Sequence, residues 1–270
     1  GGAAAWLAEV FSSDPRGREL VEKCRQALGR RQAIATRGEA SIKFHSRPGL
    51  PATAELDRLT IKGDAAIAIL LPDQMHQVVS LELEGRKTLR IEQVASQGTL
   101  YRQVTDGQGS SGGWQRLSLA PDVPLLMRQQ QNLGLPASLY SSLYYRYLGK
   151  SRVDGREVLG ISLYGRFNRI GPFNDFLPPA ALGNDLEAYL NQPGKLIRSF
   201  SCWGLLYLHP ETLLPVRSDL FLVLNFAPVG RGQPAPVAAM EMRYRVDSYT
   251  YDGIKIALPA PVAAPVEERQ

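Results

Sequence analysis

The sequence is poor in the residues that most often carry chemistry. Its 270 residues include only two cysteines and three histidines. The histidines, His45, His76 and His209, are far apart and show no ligand spacing such as H-x-x-x-H. We also find no Walker motif, no zinc pattern and no N-x-[ST] glycosylation signal. We therefore predict no metal site, no cofactor and no catalytic residues, and an enzyme is the least favoured class of function.

The two cysteines, Cys24 and Cys202, leave two alternatives open. They could form one disulfide if the chain is exported to an oxidising compartment. The simpler alternative is a pair of buried free thiols, since a free cysteine packs as a small hydrophobic residue. Composition alone does not decide between them.

One glycine-rich loop matches two functional motifs by letters alone. Residues 106–113 (DGQGSSGG) contain both G-x-G-x-x-G and G-x-S-x-G. Each motif needs a helix directly after the loop. Here the alternation of residues 114–119 indicates a strand instead. We therefore interpret the loop as a flexible connection.

Long apolar runs and clusters of one charge are both absent. No stretch reaches the roughly 20 apolar residues of a membrane-spanning helix. The net charge is +5, but acidic residues lie between the scattered Lys and Arg side chains, which argues against a nucleic-acid partner. The simplest interpretation is a solvated surface. The alternative is attraction to an anionic membrane surface or a lipid headgroup.

Three regions follow from the local patterns. Residues 1–13, rich in small side chains, are typical of a tether after a removed signal peptide, and the alternative is an arbitrary starting point. Residues 14–259 are predicted to form one domain, and residues 260–270 an Ala/Pro-rich tail. The domain is predicted to begin with an amphipathic helix, capped by Asp14, started by Pro15 and ended near Gly29.

Beyond Ala35 the apolar period changes to two, which predicts a meander of antiparallel strands up to residue 104. Several of these strands are long, and long strands in one meander favour a curved sheet or a barrel. Residues 121–148 are predicted to form two short helices, Pro124–Leu133 and Ala137–Leu148, that cover the concave sheet as a lid. Another helix is predicted at Asn184–Leu190, within an irregular segment.

The chain then returns to strands. Residues 199–226 predict a long hairpin that turns at His209–Thr212 and whose second arm is apolar on both faces. Such a strand must be covered on both sides. In Ala238–Tyr251 apolar and charged residues alternate strictly, so one face of that strand should be wet. A last strand is predicted at Ile254–Leu258.

Several local segments carry a family resemblance. They are the helix ELVEKCRQALGR running into TRGEASIKF, Gly113–Arg116 (GWQR), Val153–Glu157 (VDGRE), Leu206–Arg217 (LYLHPETLLPVR) and Tyr249–Pro259 (YTYDGIKIALP). Together they resemble the LolA/LolB-like superfamily of bacterial lipoproteins and lipoprotein carriers, in particular its LppX/LprG-type branch. The resemblance implies a mainly β fold with a helical lid (α+β), in which a curved antiparallel half-barrel wraps around helices and encloses an apolar cavity.

The resemblance also implies a function outside the cytoplasm. We expect a carrier in the periplasm or cell envelope, lipid-anchored or free, that holds lipid or lipoprotein acyl chains and contacts a membrane surface. Eleven apolar residues are the candidate wall and lid: Ile67, Ile69, Val79, Leu125, Leu126, Leu139, Leu143, Trp203, Leu205, Phe221 and Val223. The alternative is a filled core in an envelope sensor, or in a subunit of a larger assembly with a protein partner.

Overall fold

A computed structural model describes most of the chain. The described residues are 14–49, 60–83, 87–109, 112–118, 127, 133, 140, 143–167, 197–226, 229–230, 233–234 and 237–259. They contain one long helix, α1 (Pro15–Gly29), and thirteen strands. In the described part of the chain, no helix is both long and apolar enough to cross a membrane.

Eleven of the strands form one open antiparallel sheet. Its order is β6-β5-β4-β3-β2-β1-β13-β10-β9-β8-β7, so β6 and β7 are its two edges. The strands are β1 (Ala33–Ser46), β2 (Thr60–Leu70), β3 (Gln74–Leu83), β4 (Lys87–Ser96), β5 (Thr99–Asp106), β6 (Gln115–Ser118), β7 (Tyr144–Val153), β8 (Arg156–Phe167), β9 (Ile197–Leu208), β10 (Pro215–Phe226) and β13 (Val237–Thr250). The short strands β11 (Val229–Gly230) and β12 (Gln233–Pro234) pair with each other.

Strand β13 joins the two halves of the sheet. It pairs with β1 of the meander β1–β6 on one side and with β10 of the group β7–β10 on the other. The meander turns tightly, as the sequence predicts. For example, Gln97 and Gly98 both have positive φ, 49° and 77°, in the two-residue turn between β4 and β5. Such turns fix the register of the neighbouring strands.

Helix α1 begins where the sequence predicts, and its N-cap residue is bound to the sheet edge. The Asp14 carboxylate accepts hydrogen bonds from the backbone N–H of Gly17 and, at 2.8 Å, of Tyr147 on β7. The Asp14 N–H donates to the carbonyl of Tyr145 at 2.8 Å. Gly17 allows this approach, because a Cβ there would lie 3.0 Å from the Tyr145 backbone. One carboxylate therefore caps the helix and attaches it to β7.

Arginines of α1 and the residues after it lie over tyrosine rings. The guanidinium carbons of Arg18 and Arg25 lie 5.6 and 5.0 Å from the ring centres of Tyr145 and Tyr140, within the range of cation–π attraction. At the far end, Arg31 lies 5.6 Å from the ring centre of Tyr251, just after β13. The helix therefore reaches from edge strand β7 to the end of β13.

The sheet has two distinct faces, which we call inner and outer. The inner face carries α1, against which the buried side chains of the core pack, including Ile34, Ile69, Phe200, Leu206 and Leu222. Strand β13 shows the contrast between the faces as the sequence predicts. Its core positions are Met240, Met242, Tyr244 and Val246, and the intervening charged side chains lie on the outer face.

The mainly β fold is confirmed, but some predicted elements are wrong. Tyr144–Leu148, assigned to the second lid helix, belongs to β7, because its alternate residues pack on α1 while the others face outward. Residues 254–258 are not a strand. The predicted helix at 124–133 and the helix at 184–190 fall largely or wholly outside the described residues, as do the tether and the tail. Among the described elements, the sheet is open and carries one long helix, α1.

Both cysteines are free and buried, the simpler of the two alternatives. Burial raises the pKa of the Cys24 and Cys202 thiols to about 12. Because the thiolate is the reactive form, neither side chain is an activated nucleophile at neutral pH. Both act as small core residues, Cys24 on α1 and Cys202 on β9.

Replacing Asp14 with Ala should lower the free energy of unfolding by about 2 kcal/mol. The change removes a helix cap, which contributes about 1 kcal/mol, and leaves the Tyr147 N–H without its carboxylate partner. Urea unfolding followed by circular dichroism measures this loss. The matched control is Glu22→Ala on the exposed side of the same helix, which should change stability by less than about 0.5 kcal/mol. Equal effects of the two substitutions would contradict the role given to Asp14.

Candidate functional site

The inner face of β7–β10 and β13 is occupied by the helix. A helix of fifteen residues is about 22 Å long, which is close to the width of five strands at about 4.8 Å each. On these strands the inner side chains are buried, for example Phe200, Leu206 and Leu222. Within the residues that the structure describes, this half of the inner face is therefore filled core.

The inner face of β3–β5 differs in part: Met75, Ala95 and Leu100 are buried in the core, whereas the apolar side chains farther along these strands are only partly covered. Val79, Ile91 and Val104 are direct neighbours in register on three adjacent strands. Val79 and Ile91 are half-buried, and Val104 is 39% exposed. None of the three belongs to the cluster of buried residues or to the side chains packed against it. We call them the apolar row.

Small residues extend the apolar row toward β1. Gly38 of β1 and Ala65 of β2 continue the same line, and Ala40 and Gly63 lie beside them. A Cβ on Gly63 would lie 2.9 Å from the Leu81 side chain, and one on Gly38 would meet the Arg245 carbonyl, so neighbouring atoms fill the space over both glycines. We call the apolar row together with these four small residues the trough.

A polar row borders the apolar row. Gln77, Gln93 and Arg102 pair across β3, β4 and β5, one register step from Val79, Ile91 and Val104. All three are half-buried. The Nε atom of Arg102 is buried and has no hydrogen-bond partner within the described part of the chain. A buried guanidinium nitrogen without a partner is costly, and a carboxylate or phosphate would satisfy it in the geometry that arginine favours.

The predicted wall residues do not lie together. Ile67, Ile69 and Leu143 are buried in the core on the inner side, and Val79 belongs to the apolar row. Trp203, Leu205, Phe221 and Val223 lie on the outer face, since they alternate with the buried Cys202, Leu206, Leu220, Leu222 and Leu224. Leu125, Leu126 and Leu139 fall outside the described residues. A single wall formed by all the predicted residues is therefore not present, and ligand binding by either set stays a prediction.

Sequence reasoning missed the polar row and most of the apolar row, although the signal was there. The two-residue turn at Gln97–Gly98 pairs Ser96 with Thr99, and counting outward pairs Gln93 with Arg102 and Ile91 with Val104. The same counting across the preceding hairpin pairs Gln77 with Gln93. Register read from the turns therefore identifies both rows.

The outer face of β1–β5 is charged. Its groove, with a volume of about 610 Å³, is lined by side chains such as Glu39, Lys62, Asp64 and Arg90. Opposite charges there pair: Arg245 Nη2 lies 3.0 Å from Glu39 Oε2, and Arg90 Nη1 lies 2.9 Å from Glu92 Oε2. Burial raises the pKa of Glu92, but hydrogen bonds from His76 and Arg90 outweigh it and lower that pKa overall. The described residues include no group of three side chains suited to a metal ion.

These features define a class of protein: an open, wide antiparallel sheet with one helix on half of its inner face and an apolar trough on the other half. No family model matches the sequence, and no curated protein matches it. Solved structures do match. LppX from Mycobacterium tuberculosis is 7% identical with a TM-score of 0.43, and covers 91% of this chain and 100% of its own.

Two further solved structures are similar over most of the chain. LprF from Mycobacterium bovis is 12% identical with a TM-score of 0.46, and the match covers 93% of this chain and 99% of LprF. A putative outer membrane lipoprotein-sorting protein domain from Vibrio parahaemolyticus is 8% identical with a TM-score of 0.27, covering 89% and 94%. These proteins fall in the group that the sequence resembles. At such identities and scores they assign no ligand and no residue role.

The division of β10 into two faces predicts losses of different size from substitutions at neighbouring residues. Leu222→Ala should destabilise the fold by about 3 kcal/mol, because Leu222 is 2% exposed and its loss leaves a cavity in the core. Phe221→Ala should cost about 1 kcal/mol, mainly its stacking on Trp203 at 4.4 Å. Chemical denaturation measures both values. A larger loss for Phe221→Ala would mean that the outer face of β10 is the true core.

Proposed function

We propose that the chain is an extracytoplasmic carrier that holds an amphiphile with an acyl chain on the inner face of β3–β5. One observation carries the proposal: the apolar row Val79, Ile91 and Val104 lies beside the polar row Gln77, Gln93 and Arg102. An amphiphile has the same division between chain and headgroup. In this proposal the apolar row contacts the acyl chain, and the polar row contacts the headgroup.

The apolar row provides the affinity for the chain. Side chains such as Val104, at 39% exposure, are partly in water, and an acyl chain laid along the row would remove that surface from water. Burial contributes about 0.8 kcal/mol for each methylene group. The small side chains of Ala40 and Ala65 continue this surface toward β1.

Arg102 provides the preference for an acidic headgroup. A carboxylate or phosphate oxygen would accept hydrogen bonds from the guanidinium of the half-buried Arg102, and a charged acceptor strengthens such bonds. The flanking Gln77 and Gln93 amides offer both donors and acceptors to the rest of the headgroup. In this arrangement, the ligand is a fatty acid, an acidic lipid or the acylated end of a lipoprotein, and the carrier works in the periplasm or cell envelope.

A second candidate function is supported by the filled half of the inner face. Helix α1 and the core leave no space beneath β7–β10, which suits an envelope sensor or a subunit of a larger assembly that needs a rigid sheet. In that case the trough on β3–β5 is a surface for a protein partner. The binding experiment below separates the two candidates, because only the carrier takes up a single lipid molecule.

Placing a large side chain in the apolar row should block uptake of the ligand. In Val79→Trp the indole occupies the space of about two methylene groups, so the Kd for a fluorescent fatty acid should rise about tenfold. Fluorescence titration measures the Kd. The matched control is Val78→Trp, because Val78 is the next residue of β3, similarly half-buried, but on the outer face. The control should bind like the unmodified chain.

A second variant tests the headgroup. Arg102→Gln should weaken binding of a fatty acid about tenfold and leave its methyl ester unaffected, because only the acid offers a charged acceptor. Arg116→Gln, an exposed arginine on the outer side of β6, is the control and should change neither value. If the unmodified chain takes up no fatty acid, or if Val78→Trp and Val79→Trp weaken uptake equally, the carrier proposal is wrong.

A further inference from the structure

Four aromatic residues form a line on the outer face of β7–β10. Tyr144 pairs with Tyr164, Tyr164 with Trp203, and Trp203 with Phe221. Adjacent strands are about 4.8 Å apart, so the line is about 14 Å long. We call these four residues the aromatic line. It lies on the opposite side of the sheet from the trough.

The aromatic line is exposed. Trp203 stacks on Phe221 with ring centres 4.4 Å apart, yet Trp203 is 41% exposed and Tyr144 is 49% exposed. Leu148, 53% exposed, lies beside Gly160 on the same face. Three of the five exposed large hydrophobic residues in the described part of the chain are therefore on this one surface. Apolar groups concentrated in this way mark an interaction site.

A shallow groove follows the aromatic line. Its volume is about 630 Å³, and its lining includes Tyr164, Trp203, Leu205 and Phe221. It ends at Arg243 of β13, whose guanidinium binds both carboxylate oxygens of Asp219 at 3.1 and 2.7 Å. That ion pair separates the aromatic half of the outer face from the charged half.

The charges around the aromatic line are mostly positive. Outer-face positions of β7, β8 and β10 carry Arg146, Arg166 and Arg217, and Arg243 adds a fourth arginine. The outer-face positions of β7–β10 contain one acidic residue, Asp219, which is paired with Arg243. The surface therefore combines exposed aromatic side chains with a net positive charge, and it is complementary to an anionic partner.

We propose that the aromatic line and its arginines dock the protein on an anionic membrane surface. Trp and Tyr are the side chains preferred at the boundary between headgroups and acyl chains, since each has an apolar ring and a polar group. Each arginine near an anionic bilayer adds about a fivefold gain in partition. A broad sheet face with four aligned rings and no deep socket matches a planar surface.

Two other partners, a second copy of the chain and a glycan, fit the aromatic line less well than a membrane. In a symmetric dimer the same surface would face itself, which brings the four arginines of one copy against those of the other. A glycan needs several polar side chains beside its aromatic platform. Of the four flanking positions on this face, Leu205 and Val223 are apolar, Asp219 is bound by Arg243, and Ser201 alone offers a hydroxyl group. The membrane proposal is independent of the carrier function, because it concerns the other face of the sheet.

Vesicle flotation tests the proposal directly. The full chain should bind vesicles in which about a third of the phosphatidylcholine is replaced by phosphatidylglycerol, and bind pure phosphatidylcholine vesicles much more weakly. Trp203→Ser should reduce the bound fraction on anionic vesicles about tenfold, since one interfacial indole is lost. Arg166→Gln should reduce it about fivefold. Leu258→Ala and Arg37→Gln, exposed residues away from the aromatic line, are the matched controls and should bind like the unmodified chain.

A fluorescence measurement of whether Trp203 enters the bilayer tests the same proposal while keeping Trp203 in place, so it does not depend on a Trp203 variant that could misfold. Of the three tryptophans, Trp203 alone is kept in the variant Trp6→Phe/Trp114→Phe. Brominated phosphatidylglycerol should quench its fluorescence on binding. The proposal is overturned if the chain does not float with anionic vesicles, if Trp203 is not quenched, or if the control variants lose as much binding as Trp203→Ser. Dimer formation that masks Trp203 in solution would also overturn it and would indicate a second copy as the occupant.

Discussion

Coverage of a wide sheet is the constraint on which the rest of the structure depends. Eleven strands span about 50 Å, whereas the one described helix covers about five of them. That helix is fixed at β7 by Asp14 and lies under β7–β10 and β13, where it completes a core. The apolar side chains that stay partly exposed are Val79, Ile91 and Val104 on the inner side and the aromatic line on the outer side of β7–β10, and these are the ones available for partners.

Much of the fold follows from local sequence. The cap at Asp14, the two-residue period of β1–β5 and the alternation of β13 each depend on residues a few positions apart, and all three are confirmed. The first half of β7, Tyr144–Leu148, was predicted as the end of a helix because YSSLYYRYL has apolar residues at both spacings. Its state is decided by long-range contacts, as Tyr145 meets α1 while Tyr144 faces outward. Such contacts are invisible in a local window.

The candidate site was less predictable than the fold. Apolar alternation places Ile67 and Ile69 on one face of β2, and both are buried there, but it could not say which side of the Trp203–Phe221 hairpin faces the helix. Both sides of that hairpin are apolar, so the two-residue period does not decide which side is buried against the helix. What separates them is the pairing of Phe221 with the charged outer residue Arg243 of β13, together with the position of α1. The two faces suggest two separate tasks, ligand binding on one and docking on the other.

Native mass spectrometry of the protein purified from a cell envelope, followed by organic extraction, tests the central claim most directly. If the trough on β3–β5 holds an amphiphile, the spectrum contains discrete adducts, and the extract contains an acyl compound with an acidic headgroup. Val79→Trp then gives the unliganded mass while Val78→Trp keeps the adduct. An unliganded mass for the unmodified protein, in preparations that retain ordinary envelope lipids, would contradict the claim.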